Sequence, residues 1–415
     1  MFLLPPLSFE TSIRSRVYAL STKGNDCMMT RRNLMQAGAA LGMGAVVGGA
    51  ASAQALKVQN STGEFMKTKG NIDRDAALPM NETGNGKRYR PSSRMGLGGL
   101  AAGNGFNTIS SDEEILQMLN AAWDSGVRYF DTAPFYGLSL SERRFGDLLR
   151  NKNRDDYVLS SKVGRLLTPS AEPLPKRWHW ANHSPFHYRY DYSAAGTRRS
   201  VEDTLHRIGV SSLDIVFIHD LSPQNSDFGD DWLKYFDEAV NGAMPELTKM
   251  REEGMIKAWG LGINTSHAVS KTLDVADPDI FILALQYSIL DHQEALDKTF
   301  PLLDERDISV VVGAPLNGGF LAGRDRFNYS SFIPEEMKTK FAAINDVAGK
   351  YGIDIKTAAL QFAEAPSTVS AIIPGARTAQ QVNENIASMK VGIPEAFWSE
   401  LKTKNLIAQN APTGS

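Results

Sequence analysis

From residue 95 onward, short apolar runs alternate with amphipathic stretches of helical period. The alternation recurs about eight times over roughly 290 residues. The apolar runs are MGLGGL (95–100), VRYF (127–130), YVLSS (157–161), LDIVFIH (213–219), KAWGLG (257–262), IFILAL (280–285), ISVVVG (308–313) and SAIIP (370–374). Helical patterns lie between them at 111–126, 139–150, 193–208, 242–254, 266–275, 293–304, 334–349 and 354–364, and one at 378–388 ends the series. Ser111 followed by Glu114 is a capping box opening the first helix. Parallel strands covered on both faces read as continuous apolar runs, as these do. Count and length predict an α/β protein whose single domain is a (β/α)8 TIM barrel over 94–395, with 396–415 as a C-terminal tail or helix. The cluster Gly96-Leu97-Gly98-Gly99-Leu100-Ala101 fits a dinucleotide fingerprint, but AGNGFNTIS after it reads as a loop rather than a helix. A doubly wound sheet is therefore not the expectation.

The N-terminal part has a different texture. Residues 29–55, MTRRNLMQAGAALGMGAVVGGAASAQA, join Arg31 and Arg32 to an apolar run of small residues ending in Ala51-Ser52-Ala53. This resembles a twin-arginine export signal, with Met28 or Met29 as a natural start. Residues 1–55 are expected to be the export region and 56–93, polar and turn-rich, a flexible linker. The apolar run is too short for a convincing spanning helix. The resemblance implies an exported, periplasmic protein that uses the twin-arginine export machinery, with no stable membrane insertion after cleavage; without a working signal the chain stays cytoplasmic. A net charge of −3 argues against a nucleic-acid partner. The only cysteine, Cys27, precedes the cleavage site, so the mature chain has no disulfide and no thiol nucleophile.

Barrel chemistry sits at the C-terminal ends of the strands. There the second strand leads to Asp131 and Tyr136, the third to Lys162 and the fourth to His219. Singly, each has a structural explanation: a turn cap, a rim charge, a core histidine. Together they converge on one mouth and form a set that moves a proton to or from an alcohol or carbonyl oxygen. An ammonium close to a tyrosine favours the phenolate, a carboxylate orients the lysine, and a histidine aligns the substrate oxygen. Hydride transfer is the natural companion reaction, and the hydride needs a cofactor.

GVRYFDTAPFYG (126–137), LSSKVG (159–164), DIVFIHD (214–220) and IPGARTAQQVNEN (373–385) resemble the aldo-keto reductase superfamily in order and spacing. The resemblance implies Tyr136 as general acid/base, Lys162 as its pKa-lowering partner, Asp131 as the lysine's holder and His219 as the orienting histidine. It also implies a nicotinamide dinucleotide across the mouth: Asn264 and Gln286 at the carboxamide, Ala314, Leu316 and Gly318 at the pyrophosphate, and Gly375, Arg377, Gln381 and Asn385 at the adenosine phosphate. Gly262 stands where a serine is usual and Gly313 where a stacking aromatic is usual. Gly375 and Gln381 replace two cations common in NADP-specific members, which favours NAD over NADP. Within the family, APFYGLSLSERRFGDLL and YDYSAAGTRRSVEDTLHRIG are similar to the subgroup of D-threo-aldose (L-fucose, galactose) 1-dehydrogenases, which also holds pyridoxal 4-dehydrogenase. The implied reaction oxidises the anomeric hydroxyl of an aldose to a lactone; a carbonyl or pyridoxal reductase or dehydrogenase is the alternative. An exported member implies a tightly retained cofactor, since free NAD is scarce outside the cytoplasm.

The stretch PKRWHWANHSPFHYRYDY (175–192) reads as a substrate loop. Trp178 and Trp180 supply faces for a sugar or carbonyl substrate and His187 a hydrogen bond. Its histidines, His179, His183 and His187, recur at i, i+4, but Pro185 breaks a helix there and no metal is expected. Two other classes compete: a Schiff-base aldolase using Lys162, and a non-catalytic dinucleotide sensor.

Overall fold

The computed structural model describes residues 73, 76–82, 88–170, 172, 174 and 180–414. The expected export region, 1–55, lies outside the described residues. Eight parallel strands run in chain order round one sheet: β1 (Leu97–Gly98), β2 (Tyr129–Asp131), β3 (Val158–Val163), β6 (Ile215–His219), β7 (Ala258–Ile263), β8 (Ile280–Ala284), β9 (Ser309–Gly313) and β10 (Val369–Ile373). The sheet closes on itself through Gly96 N–H donating to Ile372 O at 2.8 Å and Ile372 N–H to Arg94 O at 2.9 Å. This is the (β/α)8 barrel expected from the alternation. Two strands the alternation does not announce, β4 (Arg165–Pro169) and β5 (Phe186–Tyr190), form an antiparallel hairpin after β3. The stretch read as a loop thus ends in a strand, because Phe-His-Tyr-Arg-Tyr is rich in aromatics that favour a pleated surface.

Successive strand side chains face opposite sides of a sheet. Tyr129, Val158, Ile215, Phe217, Ile280, Ile282, Val311, Ala371 and Ile373 form the barrel interior. Their neighbours, such as Phe130, Leu159, Val216, Trp259 and Phe281, join the larger core beneath the helices. That outer layer comprises α1 (Asp112–Asp124), α2 (Leu140–Leu149), α3 (Ala194–Ile208), α4 (Trp232–Asn241), α5 (Ala243–Glu252), α6 (Ser266–Leu273), α7 (Phe300–Asp304), α8 (Glu335–Tyr351), α9 (Ile355–Glu364), α10 (Ala379–Ser388) and α11 (Glu395–Thr403). The capping box forms: Glu114 N–H donates to Ser111 Oγ at 3.1 Å and Ser111 N–H to Glu114 Oε2 at 2.8 Å.

The linker expected over 56–93 is corrected in its described parts, which are built into the barrel floor. Asn81 Nδ2 donates to Ser370 O at 2.7 Å, Ser309 Oγ to Tyr89 O at 2.6 Å, and Tyr89 packs under the interior cluster. The cause is local. Parallel strands leave backbone groups and an apolar plug position open at the barrel's N-terminal face, and this segment satisfies both. Among the described residues no helix is long and apolar enough to cross a membrane.

Candidate active site

The alternation that builds the interior also places the chemistry. The inward columns run Tyr129–Asp131 on β2, Val158–Ser160–Lys162 on β3 and Ile215–Phe217–His219 on β6, three adjacent strands. Asp131, Lys162 and His219 are therefore the last inward positions before the mouth. Tyr136 joins them from the turn after β2, where its N–H donates to Ala133 O at 3.1 Å.

Lys162 is 3% exposed, and its ammonium donates to Asp131 Oδ2 at 2.7 Å, Asp131 Oδ1 at 2.9 Å and Thr132 O at 2.8 Å. All three of its donors are thereby used. Ser160 Oγ donates to Asp131 Oδ1 at 2.7 Å. The ammonium lies 4.8 Å from the Tyr136 ring centroid. The His219 ring stands edge-on to Tyr136 at 5.7 Å, and the Trp180 ring lies 5.9 Å away on another side. All four residues expected at the strand ends meet.

The electrostatics differ from expectation at one point. The sequence predicts that Lys162 lowers the Tyr136 pKa. Instead burial, reinforced by the charges of Asp131 and Asp220, pushes the phenol well above its usual range, opposed by Arg165. Lys162 is matched at contact by Asp131, so its positive charge is spent on the carboxylate, and it is the carboxylate whose charge acts on the ring. The resting Tyr136 is a neutral proton donor. Burial also pushes His219 down to about 3, with Arg165 and Lys162 reinforcing it and Asp220 opposing. The imidazole is neutral and able to hydrogen-bond an uncharged substrate oxygen.

Two charged residues join the four without a role that their sequence position predicts. Arg165, next after LSSKVG, is 2% exposed, and its guanidinium stacks over Phe135 at 4.2 Å and Tyr190 at 5.2 Å. Its NH2 lies 3.0 Å from Asp220 Oδ2, and that carboxylate is 3.6 Å from His219 Nε2. Burial opposes a charge on Asp220, yet His219, Arg165 and Lys162 hold its carboxyl below the usual carboxylate range. A third residue, Tyr329 on the loop after β9, is half exposed, stacks on Phe106 at 6.4 Å and lies near enough to Tyr136 and Asp220 to feel their charges. Nothing in its sequence neighbourhood marks it.

The rest of the mouth is built from residues without bulk. Gly262 pairs in register with His219, and Ala284 pairs with Gly313. A Cβ at Gly262 would stand 3.6 Å from Lys162 Cε, so a serine has room there. At Gly313 it would crowd Ala284 Cβ at 3.2 Å. One half of the rim carries ionisable side chains and the other ends in glycine and alanine. Beyond β7 and β8, Gln286 Nε2 donates to Asn264 O at 2.7 Å, which brings the two expected carboxamide residues together. Ala314, Leu316 and Gly318 follow β9, with positive φ at Ala314 (52°) and Gly318 (67°). Gly375 is exposed ahead of α10, Thr378 caps that helix, and Gln381 Oε1 accepts from Arg377 N–H at 2.8 Å, while Asn385 is buried. The Arg377 guanidinium donates to Thr108 O at 3.0 Å. It lies close enough to Arg326 and Arg324 that these cations join burial in lowering it to about 10. Arg324 and Arg326 carry no sequence signal, since they lie far along the chain from 373–385.

Of the expected substrate residues, Trp180 reaches the site, packing at 5.4 Å on Phe135. Its buried indole Nε1 has no hydrogen-bond partner among the described residues. Trp178 and His179 lie outside the described residues. His187 is not brought to the four. Tyr188 and Tyr190 of β5 face Arg165, and alternation puts His187 on the opposite face, where its Nδ1 accepts from Tyr188 N–H at 2.9 Å. His183 is occupied with Ser184 O at 2.7 Å. Among the described residues no group of three or more His, Cys, Asp or Glu side chains is placed to hold a metal ion.

The model of the Aldo/keto reductase family matches residues 94–406. A D-threo-aldose 1-dehydrogenase from Pseudomonas sp is 33% identical over 322 residues, covering 75% of this chain and 94% of the relative. A pyridoxal 4-dehydrogenase from Microbacterium luteolum is 34% identical over 333 residues, covering 76% and 94%. The fold is similar to that of a solved aldo-keto reductase from Bacillus halodurans in its holo form. The TM-score is 0.55 at 20% identity, covering 78% of this chain and 94% of that one.

Proposed function

The chain belongs to the aldo/keto reductase family, and from that premise we propose that it oxidises the anomeric hydroxyl of an aldose to a lactone with NAD(P). The observation that carries the reading is the buried Asp131–Lys162 pair beneath Tyr136, with a neutral His219 edge-on to the same ring. His219 holds the substrate oxygen by a hydrogen bond. Tyr136 Oη, once it has given up its own proton, takes the hydroxyl proton in oxidation, and the neutral phenol donates it in reduction. Because burial keeps the phenol neutral, oxidation is favoured by alkaline pH. Lys162 and Asp131 fix the polar floor under the phenol. The nicotinamide, when bound, supplies the hydride acceptor.

The residues present fit that cofactor. Gly262 and Gly313 leave two strand ends without side chains, Asn264 and Gln286 are joined by a hydrogen bond beyond β7 and β8, and Ala314, Leu316 and Gly318 follow β9. Asn317 Oδ1 is buried without a partner among the described residues. Gly375, Arg377 and Gln381 stand at the N-terminal end of α10, where backbone N–H groups favour an anion, and Asn385 lies one turn further along the helix. Arg324 and Arg326 add two cations beside Arg377. They offset the two cations missing at Gly375 and Gln381, so the cation count no longer favours NAD, and we assign the arginine trio to the phosphates of either nucleotide.

The pyridoxal alternative has support in the relative of that activity. The aldolase reading has none. Lys162 is held as an ammonium by three acceptors, and a charged amine is not a nucleophile. The test is nicotinamide absorbance at 340 nm with NAD+ or NADP+, a panel of neutral aldoses and pyridoxal. Tyr136→Phe is expected to lose about a hundredfold or more of turnover. Turnover equal to the parent's refutes the proton-transfer assignment, and oxidation of pyridoxal alone replaces the aldose reading.

A further inference from the structure

The established family chemistry needs four polar residues, and this mouth holds a further ion pair, Arg165 and Asp220, next to them. Asp220 comes directly after His219 and leaves β6 with φ 50°, a left-handed turn that aspartate and asparagine tolerate better than most residues. Its backbone is pinned: its N–H donates to Gly262 O at 2.8 Å, and its carbonyl accepts from Ser222 N–H at 2.9 Å. The carboxylate is pinned on one side only, by Arg165 at 3.0 Å through Oδ2. No hydrogen bond among the described residues reaches Oδ1, and the side chain is 26% exposed, far more than that of Asp131 at 2%. Arg165 in turn is clamped by Phe135 and Tyr190. The result is an immobilised carboxylate facing His219 and Tyr136 with an oxygen to spare. Across the Tyr136 ring stands Trp180, with an aromatic face and an unused indole N–H.

Resting on the aldose reading, we propose that Asp220 is a specificity-determining residue. Its carboxylate accepts hydrogen bonds from hydroxyl groups beside the reacting carbon, and it selects neutral polyhydroxylated substrates over anionic ones. An ionised acceptor gains most from hydroxyl donors and repels a second carboxylate or a phosphate. A counter-ion of Arg165 with no further role would be satisfied at Oδ2 and would have no need of a partly exposed side chain whose Oδ1 accepts no hydrogen bond among the described residues.

The test uses the neutral aldose of highest kcat/KM, its monodeoxy derivatives and its uronic acid, with the holoenzyme and saturating cofactor. In the wild type, removal of one hydroxyl near the anomeric carbon is expected to lower kcat/KM about ten- to a hundredfold. In Asp220→Asn that penalty is expected to shrink below about threefold, and the uronic acid to gain relative to its parent. Asn keeps the left-handed turn. If it leaves Arg165 uncompensated and the protein does not fold, Asp220→Glu keeps the charge but displaces it, and is expected to change the deoxy penalty at the same position. A penalty identical in wild type and variants, or a loss of kcat shared equally by every substrate, overturns the proposal and leaves Asp220 as structural. A wild type that prefers the uronic acid also overturns it. Oxidation of no aldose by the wild type defeats the aldose reading itself, and this inference with it.

Discussion

Replacing Lys162 by methionine keeps the stem and removes the charge, and the structure sets the cost. Asp131 is 1% exposed and would lose two of its three hydrogen bonds, keeping only that from Ser160. Removing one partner of a buried ion pair costs about 3–5 kcal/mol, because the other charge is left without compensation. At about 2 °C per kcal/mol for a domain of this size, the melting temperature falls by roughly 6–10 °C. The second substitution separates charge burial from packing. Asp131→Asn with Lys162→Met removes both charges, and stability is expected to return to within about 1–2 kcal/mol of the wild type, since neutral replacement of a buried pair is often close to neutral. Turnover does not return, because the polar floor under Tyr136 is gone; it stays down by about 10²–10⁴. The assay is a double-mutant cycle by urea or thermal unfolding, with turnover measured on the same four proteins. If Lys162→Met is as stable as the parent, or the double variant no more stable than the single one, then Asp131 and Lys162 do not form a buried electrostatic unit.

Acid sensitivity has a definite sign. His219 and His292, pushed down to about 3 and about 4 chiefly by burial, stay neutral in the folded state while the unfolded chain takes up protons below about 6.5. Stability contributed by the neutral forms is full above 6.5 and is lost as pH falls. Each histidine accounts for about 1.5 kcal/mol between pH 6.5 and 5, and His219→Gln should flatten that part of a stability-against-pH curve. Arg326→Gln should weaken NAD(P)H binding about tenfold in a fluorescence titration and make it less salt-sensitive, with kcat at saturating cofactor retained. Replacing Arg31 and Arg32 together by lysine should move the protein from the periplasmic to the cytoplasmic fraction. The wild type recovered from periplasm should carry nucleotide that is released on denaturation; a nucleotide-free periplasmic enzyme would end the retained-cofactor reading.

The barrel was legible in the sequence because its signal is repeated. Each strand buried on both faces writes an unbroken apolar run, and each helix writes its own period, so an error at one unit does not change the count. Asp131, Lys162 and His219 were legible for a related reason, being ionisable groups at the ends of apolar runs, where a random charge would be costly. The hairpin β4–β5 was not, because its strands are short and half-polar, and a long stretch with Pro185 and turn residues separates them in the sequence. Nor was the floor segment, since Asn81, Tyr89 and Arg90 have loop composition and become ordered through bonds to distant backbone, such as Ser370 O and Ser367 O. The arginine trio joins positions some fifty residues apart through the closure of the barrel, and no local pattern can encode that.

The sign of the Tyr136 shift shows why residue type alone underdetermines chemistry. A lysine near a tyrosine predicts an easier phenolate only if the lysine's charge is not already spent. Here Asp131 takes two of the three ammonium donors and Thr132 the third, so the ammonium is committed to other acceptors and the charge of Asp131 still acts on the phenol. Asp220, by contrast, keeps one oxygen free and adds negative charge to the same ring. Alternation assigns the three ionisable strand-end residues to β2, β3 and β6, and the glycines and alanine to β7, β8 and β9. The bulky, charged arc can hold a substrate's polar groups, while the bare arc can admit a flat ring alongside it. Of these positions Gly313 is the tighter one: a Cβ there would crowd Ala284 Cβ at 3.2 Å, whereas at Gly262 it would stand 3.6 Å from Lys162 Cε, so added bulk reshapes the bare arc at β9 before it does so at β7.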